Sequence, residues 1–245
     1  MKKLIVIQNI EREGPGLFSK IAYKKGFITE ICYLSKGEAL PQFSKNDLIL
    51  IMGGPMGLED INKKNYSWLK KEIEFIKNVI DNEIPIIGVC LGAQLIAHVM
   101  GGSVEKLKIV SNKRYKTEIG WSEIFSSESN KLNKLNLFLR DPLYVLHWHM
   151  DRILLPSNAD LLASSNFCRE QLFKIGDKIF GLQFHAETEP FMTNNWINED
   201  KKFIISALGK EGQSILNNQC KDFELKSLNK RILFINILLD TILKS

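Results

Sequence analysis

A chain of 245 residues with 44% hydrophobic content can enclose one sizeable α/β core. Its longest apolar stretch, Ile232 to Leu243, is broken by Asn236 and Asp240 and falls short of the ~20 residues that a membrane-spanning helix needs. The net charge of +5 is carried by lysines interleaved with Glu and Asp, and the densest basic stretch, Lys106 to Lys116, lacks the aromatic interleaving of a single-strand binder, so no nucleic-acid partner is expected.

In chain order, Met1-Lys2-Lys3 leads into an apolar run that is too short for a signal peptide and reads as the first strand. Strands are predicted at 3–8, 28–33, 47–52 and 84–89, with helices near 16–25, 66–80 and 92–100. That alternation implies a parallel sheet covered on both faces. The second half is richer in strands, at 104–109, 121–125, 143–148, 159–164, 170–175 and 178–184, with Gly176-Asp177 as a hairpin turn between the last two. Residues 197–245 read as two or three helices, the last carrying Ile232, Ile235, Leu239 and Ile242 at helical spacing. Such a stripe is a core face or, alternatively, the interface of a homodimer or a docked partner. Four scattered cysteines, Cys32, Cys90, Cys168 and Cys220, form no C-x-x-C pair, which argues for a reducing, cytoplasmic setting.

Three segments carry chemistry. Ile84 to Val89 is a buried strand running into Cys90, with a helix starting immediately after. A cysteine at such an elbow meets the free backbone N–H groups of the helix N-terminus, which favour thiolate, and Gly88 and Gly92 flank it where a tight turn leaves no room for β-carbons. The run Ile179 to Phe184 is a second apolar strand ending in His185, with Glu187 two residues on. Period two would place both on one face if the strand continued that far, letting Glu187 fix the tautomer of a general base. Upstream, the strand Asp47 to Met52 opens into Gly53-Gly54-Pro55, a loop able to present backbone N–H groups. With the N–H of Leu91, such a group at Gly54 could hold the oxyanion of acyl transfer from an amide.

Together, Gly-Gly-Pro, Gly-x-Cys-x-Gly-x-Gln and Phe-His-x-Glu, in this order, resemble the class I, or triad, glutamine amidotransferase family. The likeness covers roughly residues 1–196 and is greatest to the amidotransferase half of GMP synthetase and stand-alone domains like it. It implies an open, mostly parallel, flavodoxin-like α/β sheet with helices on both faces for 1–196; the helical pattern of 197–245 is expected to form a C-terminal extension packed on the same domain. It implies Cys90 as nucleophile, His185 as general base and acid, Glu187 as third triad member, Gly54 and Leu91 as oxyanion hole, and Gln94 as a contact to glutamine. The stretches Glu118-Ile119-Gly120-Trp121 and His147-Trp148-His149-Met150-Asp151 look like the stand-alone subfamily. The second borders the glutamine pocket in the family, which makes His149, Met150 and Asp151 substrate-binding candidates. Ala186 stands where many relatives have proline and Met150 where relatives often have glycine, so the pocket shape is the feature open to change.

Two histidines and an acid on one strand, His147, His149 and Asp151, are thin evidence for zinc, and the implied chemistry needs neither metal nor cofactor. The implied reaction is hydrolysis of the glutamine side-chain amide through a γ-glutamyl thioester, with ammonia passed to an acceptor. No nucleotide-binding loop of a synthetase appears after residue 190, which leaves a choice between a glutaminase that feeds a separate synthetase subunit, a candidate partner, and an enzyme that acts alone. The alternatives are a self-sufficient hydrolase of γ-glutamyl peptides or amides and a catalytically silent regulatory or binding module.

Overall fold

The computed structural model describes residues 2–108, 117–127 and 134–244; the end of the strand expected at 104–109 and most of the basic stretch to Lys116 lie outside them. The chain opens with β1 (Lys3–Gln8), α1 (Leu17–Lys24), β2 (Ile28–Tyr33), β3 (Leu48–Ile51), α2 (Trp68–Asp81), β4 (Ile86–Val89) and α3 (Leu91–Val99). It continues through β5 (Ser103–Lys106), β6 (Glu118–Ser126), α4 (Lys134–Phe138), β7 (Leu143–His149), β8 (Asp151–Leu154), β9 (Ala159–Ser164), β10 (Leu172–Ile175) and β11 (Ile179–Leu182). Four helices follow: α5 (Pro190–Glu199), α6 (Lys201–Leu208), α7 (Gly212–Gln219) and α8 (Leu225–Ile242).

The main sheet runs β2-β1-β3-β4-β11-β10-β9-β6-β7. The first five strands are parallel and the remaining pairings antiparallel. The expected Gly176-Asp177 hairpin joins β10 to β11. A separate ribbon pairs β5 with β8.

Why the central strands read as continuous apolar runs follows from their burial on both faces. Leu4 and Val6 of β1, with Leu48 and Leu50 of β3, face one core with α1 and α8. Ile5, Ile7, Ile49 and Ile51 face the other, with α2 and α3. A third cluster joins Trp121, Leu146 and Trp148 of β6 and β7 to α5, α6 and α7. The alternation of strand residues between two cores is the period-two geometry of a pleated sheet.

Residues beyond 196 are continuous with these cores. Phe234, Ile235, Leu238, Leu239 and Ile242 of α8 are buried in the same cluster as β1 and β3. Phe234 packs against Phe184, with ring centroids 5.8 Å apart, just before His185. We therefore expect Phe234→Ala to cost about 3–5 kcal/mol of unfolding free energy, the range for emptying a buried aromatic site. Urea denaturation measures it; a loss near zero would mean that α8 is not integral to the fold.

Candidate active site

In the sheet the chain leaves β1 towards β2 and leaves β3 towards β4, in opposite directions, and ligands bind open α/β sheets at the carboxyl ends beside such a switch. Four loops meet there: Asn9–Gly16 after β1, Gly53–Gly57 after β3, the elbow after β4, and the turn after β11. Cys90 caps α3 at φ 53° and ψ −107°, a conformation L-residues rarely adopt, and its N–H donates to the Leu182 carbonyl at 2.7 Å. The two flanking glycines are obligatory. A β-carbon on Gly88 would collide with the backbone of Gly92 and Ala93, and one on Gly92 with the Ile51 carbonyl.

His185 reaches Cys90 by a different route from the one the sequence suggests. β11 stops at Leu182, so no continuous strand carries His185 and Glu187. Instead, His185 makes an isolated bridge to Leu146 of β7, with 2.8 and 3.2 Å backbone bonds, and the following turn brings Glu187 Oε1 within 2.7 Å of its Nδ1. The ring stands edge-on to Trp196 at 4.7 Å, and both titratable groups are buried. Burial works against the imidazolium, but the Glu187 carboxylate and hydrogen bonds to Cys90 and Glu187 outweigh it and hold His185 well above its ordinary value.

Cys90 and the two loops around it open into a cavity of about 220 Å³. Gly54, Leu91, Gln94, His149, Met150 and Asp151 all line it, so the oxyanion and substrate candidates share one space with Cys90, while His185 and Glu187 are buried beside it. Gly54 packs beside Leu91: a β-carbon on it would lie 3.5 Å from Leu91 Cδ2. Gln94 is tied to a residue that the sequence does not single out: its Nε2 donates to Gln183 Oε1 at 3.2 Å, and Gln183 Nε2 points at Cys90 Sγ at 3.7 Å. Gln183 follows β11 directly, and a lone amide breaking the apolar run two residues before His185 is the signal that the sequence offers.

The metal reading of His147, His149 and Asp151 changes its members. β7 ends at His149, and Asp151 starts β8 with its carboxylate turned to Lys106 at 2.8 Å. The acid beside the histidines is Glu118, and the three donor groups lie within 4.8 Å of one another. Both Glu118 oxygens already accept hydrogen bonds, from Ser165 Oγ at 2.6 Å and Gln171 Nε2 at 2.8 Å, and His149 Nδ1 is engaged by the Asp151 carbonyl at 2.9 Å. Burial opposes ionisation of Glu118, but the two imidazoles and the Ser165 hydroxyl outweigh it and hold the carboxyl down at about 2. Burial pushes His147 down to about 4. Glu118, Ser165 and Gln171 thus form a hydrogen-bonded network beside the cavity, while both ring nitrogens of the buried His147 have no hydrogen-bond partner among the described residues.

A family model, described as glutamine amidotransferase class-I, matches residues 22–202. The chain belongs to that family. A glutamine amidotransferase-like protein of Salmonella typhimurium, YfeJ, is 28% identical over 200 residues, spanning 81% of each chain. A glutamine-hydrolysing GMP synthase subunit of Methanobrevibacter smithii is 33% identical over 148 residues, 59% of this chain and just under two thirds, 66%, of its own length. A glutamine amidotransferase of Thermotoga maritima of known structure superposes with a TM-score of 0.81 at 27% identity, covering 99% of this chain and 98% of the other.

Among the described residues of this amidotransferase, two further groups support the site without a motif to announce them. Arg231 of α8 is fully buried and donates to the carbonyls of Ala186 at 3.1 Å and Thr188 at 2.6 Å, clamping the backbone on either side of Glu187. Its burial lowers it to about 10, still charged at neutral pH. Behind the Gly53-Gly54 loop, Asn9 Nδ2 donates to Glu72 Oε1 at 3.0 Å and Trp68 Nε1 donates to Asn9 Oδ1 at 3.1 Å. Burial pushes Glu72 up to about 8 from 4.5, with the Asn9 bond opposing.

Glu72 has a calculable effect on stability. Between pH 4.5 and 8 the unfolded chain is ionised at this position while the folded chain keeps its proton, so its contribution is most favourable below 4.5 and falls as pH rises towards 8. We expect Glu72→Gln to leave Tm nearly unchanged at pH 4.5 and to raise it at pH 8. A Tm difference independent of pH would show that Glu72 is ionised in the fold.

Proposed function

We propose that this chain hydrolyses the side-chain amide of glutamine through Cys90, His185 and Glu187. The observation that carries the reading is a cysteine at a strained elbow within hydrogen-bonding reach of a buried histidine whose far nitrogen is 2.7 Å from a carboxylate. The thiol gives its proton to His185, and Sγ attacks the amide carbonyl while the N–H groups of Gly54 and Leu91 receive the oxyanion. The C–N bond breaks as His185 returns the proton to departing ammonia. Water, deprotonated by the same imidazole, then cleaves the γ-glutamyl thioester and regenerates the thiol with release of glutamate. Glu187 keeps the imidazole in the productive tautomer throughout.

In the pocket, Gln94, Met150 and Asp151 line the glutamyl group, with the Asp151 carboxylate matching an α-ammonium. His149 turns its ring inward, so its share is structural shape rather than direct charge recognition. We assign catalysis to residues 1–196 and treat 197–245 as an extension packed on it. Likeness to the glutamine-hydrolysing part of GMP synthase supports ammonia transfer to a separate synthetase partner. The acidic, aromatic end of the cavity supports a second reading, self-sufficient hydrolysis of other γ-glutamyl amides. Free cysteines support a cytoplasmic location.

Glutamate release by the purified chain tests the core claim. Cys90→Ala and His185→Ala are each expected to lower kcat by roughly 10³-fold or more while the circular dichroism spectrum is unchanged. Full activity in Cys90→Ala would remove the mechanism. Arg231→Gln, which weakens the clamp on Glu187, is expected to lower kcat with KM held within about twofold, since the residue touches no substrate. A purely structural role would lower Tm and leave the kcat of the folded fraction intact.

A further inference from the structure

One end of the cavity gathers carboxyl groups beside the reacting pair. Glu13 is buried and lines the cavity, and it lies beside the reacting pair. A β-carbon on Gly53 would collide with Glu13 Oε2, and the same atom would stand 3.3 Å from His185 Cε1 and 3.4 Å from Cys90 Cβ. Only a glycine between them lets the carboxyl come this near.

The nearest fixed cation does not neutralise this end. Arg12 is ringed by three carboxylates, Asp200 at 2.7 Å, Glu199 at 3.4 Å and Glu13 at 3.8 Å. One guanidinium against three acids leaves formal negative charge, in a chain whose net charge is +5. Trp148 and Phe203 line the same end, with ring centroids 6.0 Å apart, and Trp148 Nε1 donates to Asp200 Oδ2 at 2.9 Å. Carboxylates beside aromatic faces are the surroundings that favour an alkylammonium. Burial pushes Glu13 up to about 7, with His185 and Arg12 opposing, so an arriving cation would complete its ionisation.

The direction of the chemistry decides which part of a substrate meets this end. His185 protonates the departing nitrogen, so the leaving amine lies on the His185 side of Cys90, where Glu13 is. The opposite end, where Lys106 sits between Asp151 at 2.8 Å and Glu59 at 3.1 Å, is left for the α-ammonium and α-carboxylate of the glutamyl group.

We propose that the Glu13–Asp200 end is a leaving-amine subsite and that the chain acts on γ-glutamyl amides of diamines, whose leaving amine bears a second, positively charged nitrogen. The inference rests on the cysteine-triad reading above. Sγ forms the thioester as the amide C–N bond breaks, His185 supplies the proton to the departing diamine, and water releases glutamate. No other reactant is required.

Three substrates of equal chain length isolate the charge: the γ-glutamyl monoamides of butane-1,4-diamine, of n-butylamine and of 4-aminobutyrate. The expected order of kcat/KM is cationic, then neutral, then anionic, with about tenfold or more between the extremes at low salt and less at high salt. Calorimetric binding of the three to Cys90→Ala should follow the same order without turnover. Glu13→Gln, isosteric and uncharged, should compress the cationic-to-neutral ratio of kcat/KM, mainly through KM of the cationic substrate. Turnover of all three with a flat or reversed order would overturn the subsite and leave the triad standing. Failure to turn over any of them, or glutamine, would instead remove the triad reading on which it rests.

Discussion

Cys90 is held at φ 53° because its amide is tied to Leu182 of β11 while the next residue already belongs to α3, and a non-glycine residue in such a conformation stores of the order of 1–3 kcal/mol of strain. The close seating of α3 on the sheet keeps that strain in place. Gly88 and Gly92 let helix and strand touch backbone to backbone, and Leu95, Ile96 and Ala97 bury the helix behind them. In the proposed mechanism the same elbow also sets the oxyanion geometry, since Leu91 follows Cys90 directly and Gly54 packs beside it. On that proposal, loosening the elbow would disturb nucleophile and oxyanion donors together.

The rest of the site is a set of braces that bring distant chain segments to this elbow. Arg231, 44 positions after Glu187 in the numbering, fastens the turn that presents it. Trp196 of α5 presses on the imidazole and donates to the Arg12 carbonyl at 3.0 Å, linking the histidine to the loop that carries Glu13. Asp200, between α5 and α6, joins that loop to Trp148 of β7. Under the proposed mechanism the C-terminal helices would therefore act on function as well as stability, because they shape the wall that a leaving group would meet.

Much of this is legible in the order of residues alone. The parallel half of the sheet follows from apolar runs separated by helical periods, and strands 3–8, 28–33 and 159–164 match β1, β2 and β9 to the residue. The nucleophile and its glycines are local in sequence, so spacing alone suggests them. What stays hidden depends on long-range pairing. His185 and Glu187 meet through a turn and a bridge to β7, where period two suggests alternation along one strand. The acid beside His147 and His149 is Glu118, their cross-strand neighbour, where spacing makes Asp151 the natural third member. Glu13 and Arg231 look like ordinary surface charges in one dimension, and only burial distinguishes them.

The most direct measurement is the mass of the chain quenched in acid during turnover of a γ-glutamyl amide, followed by peptide mapping. The account predicts one γ-glutamyl group per chain, on the peptide containing Cys90 and absent from Cys90→Ala. Turnover with no adduct in wild type, or an adduct on Cys32, Cys168 or Cys220, would contradict it.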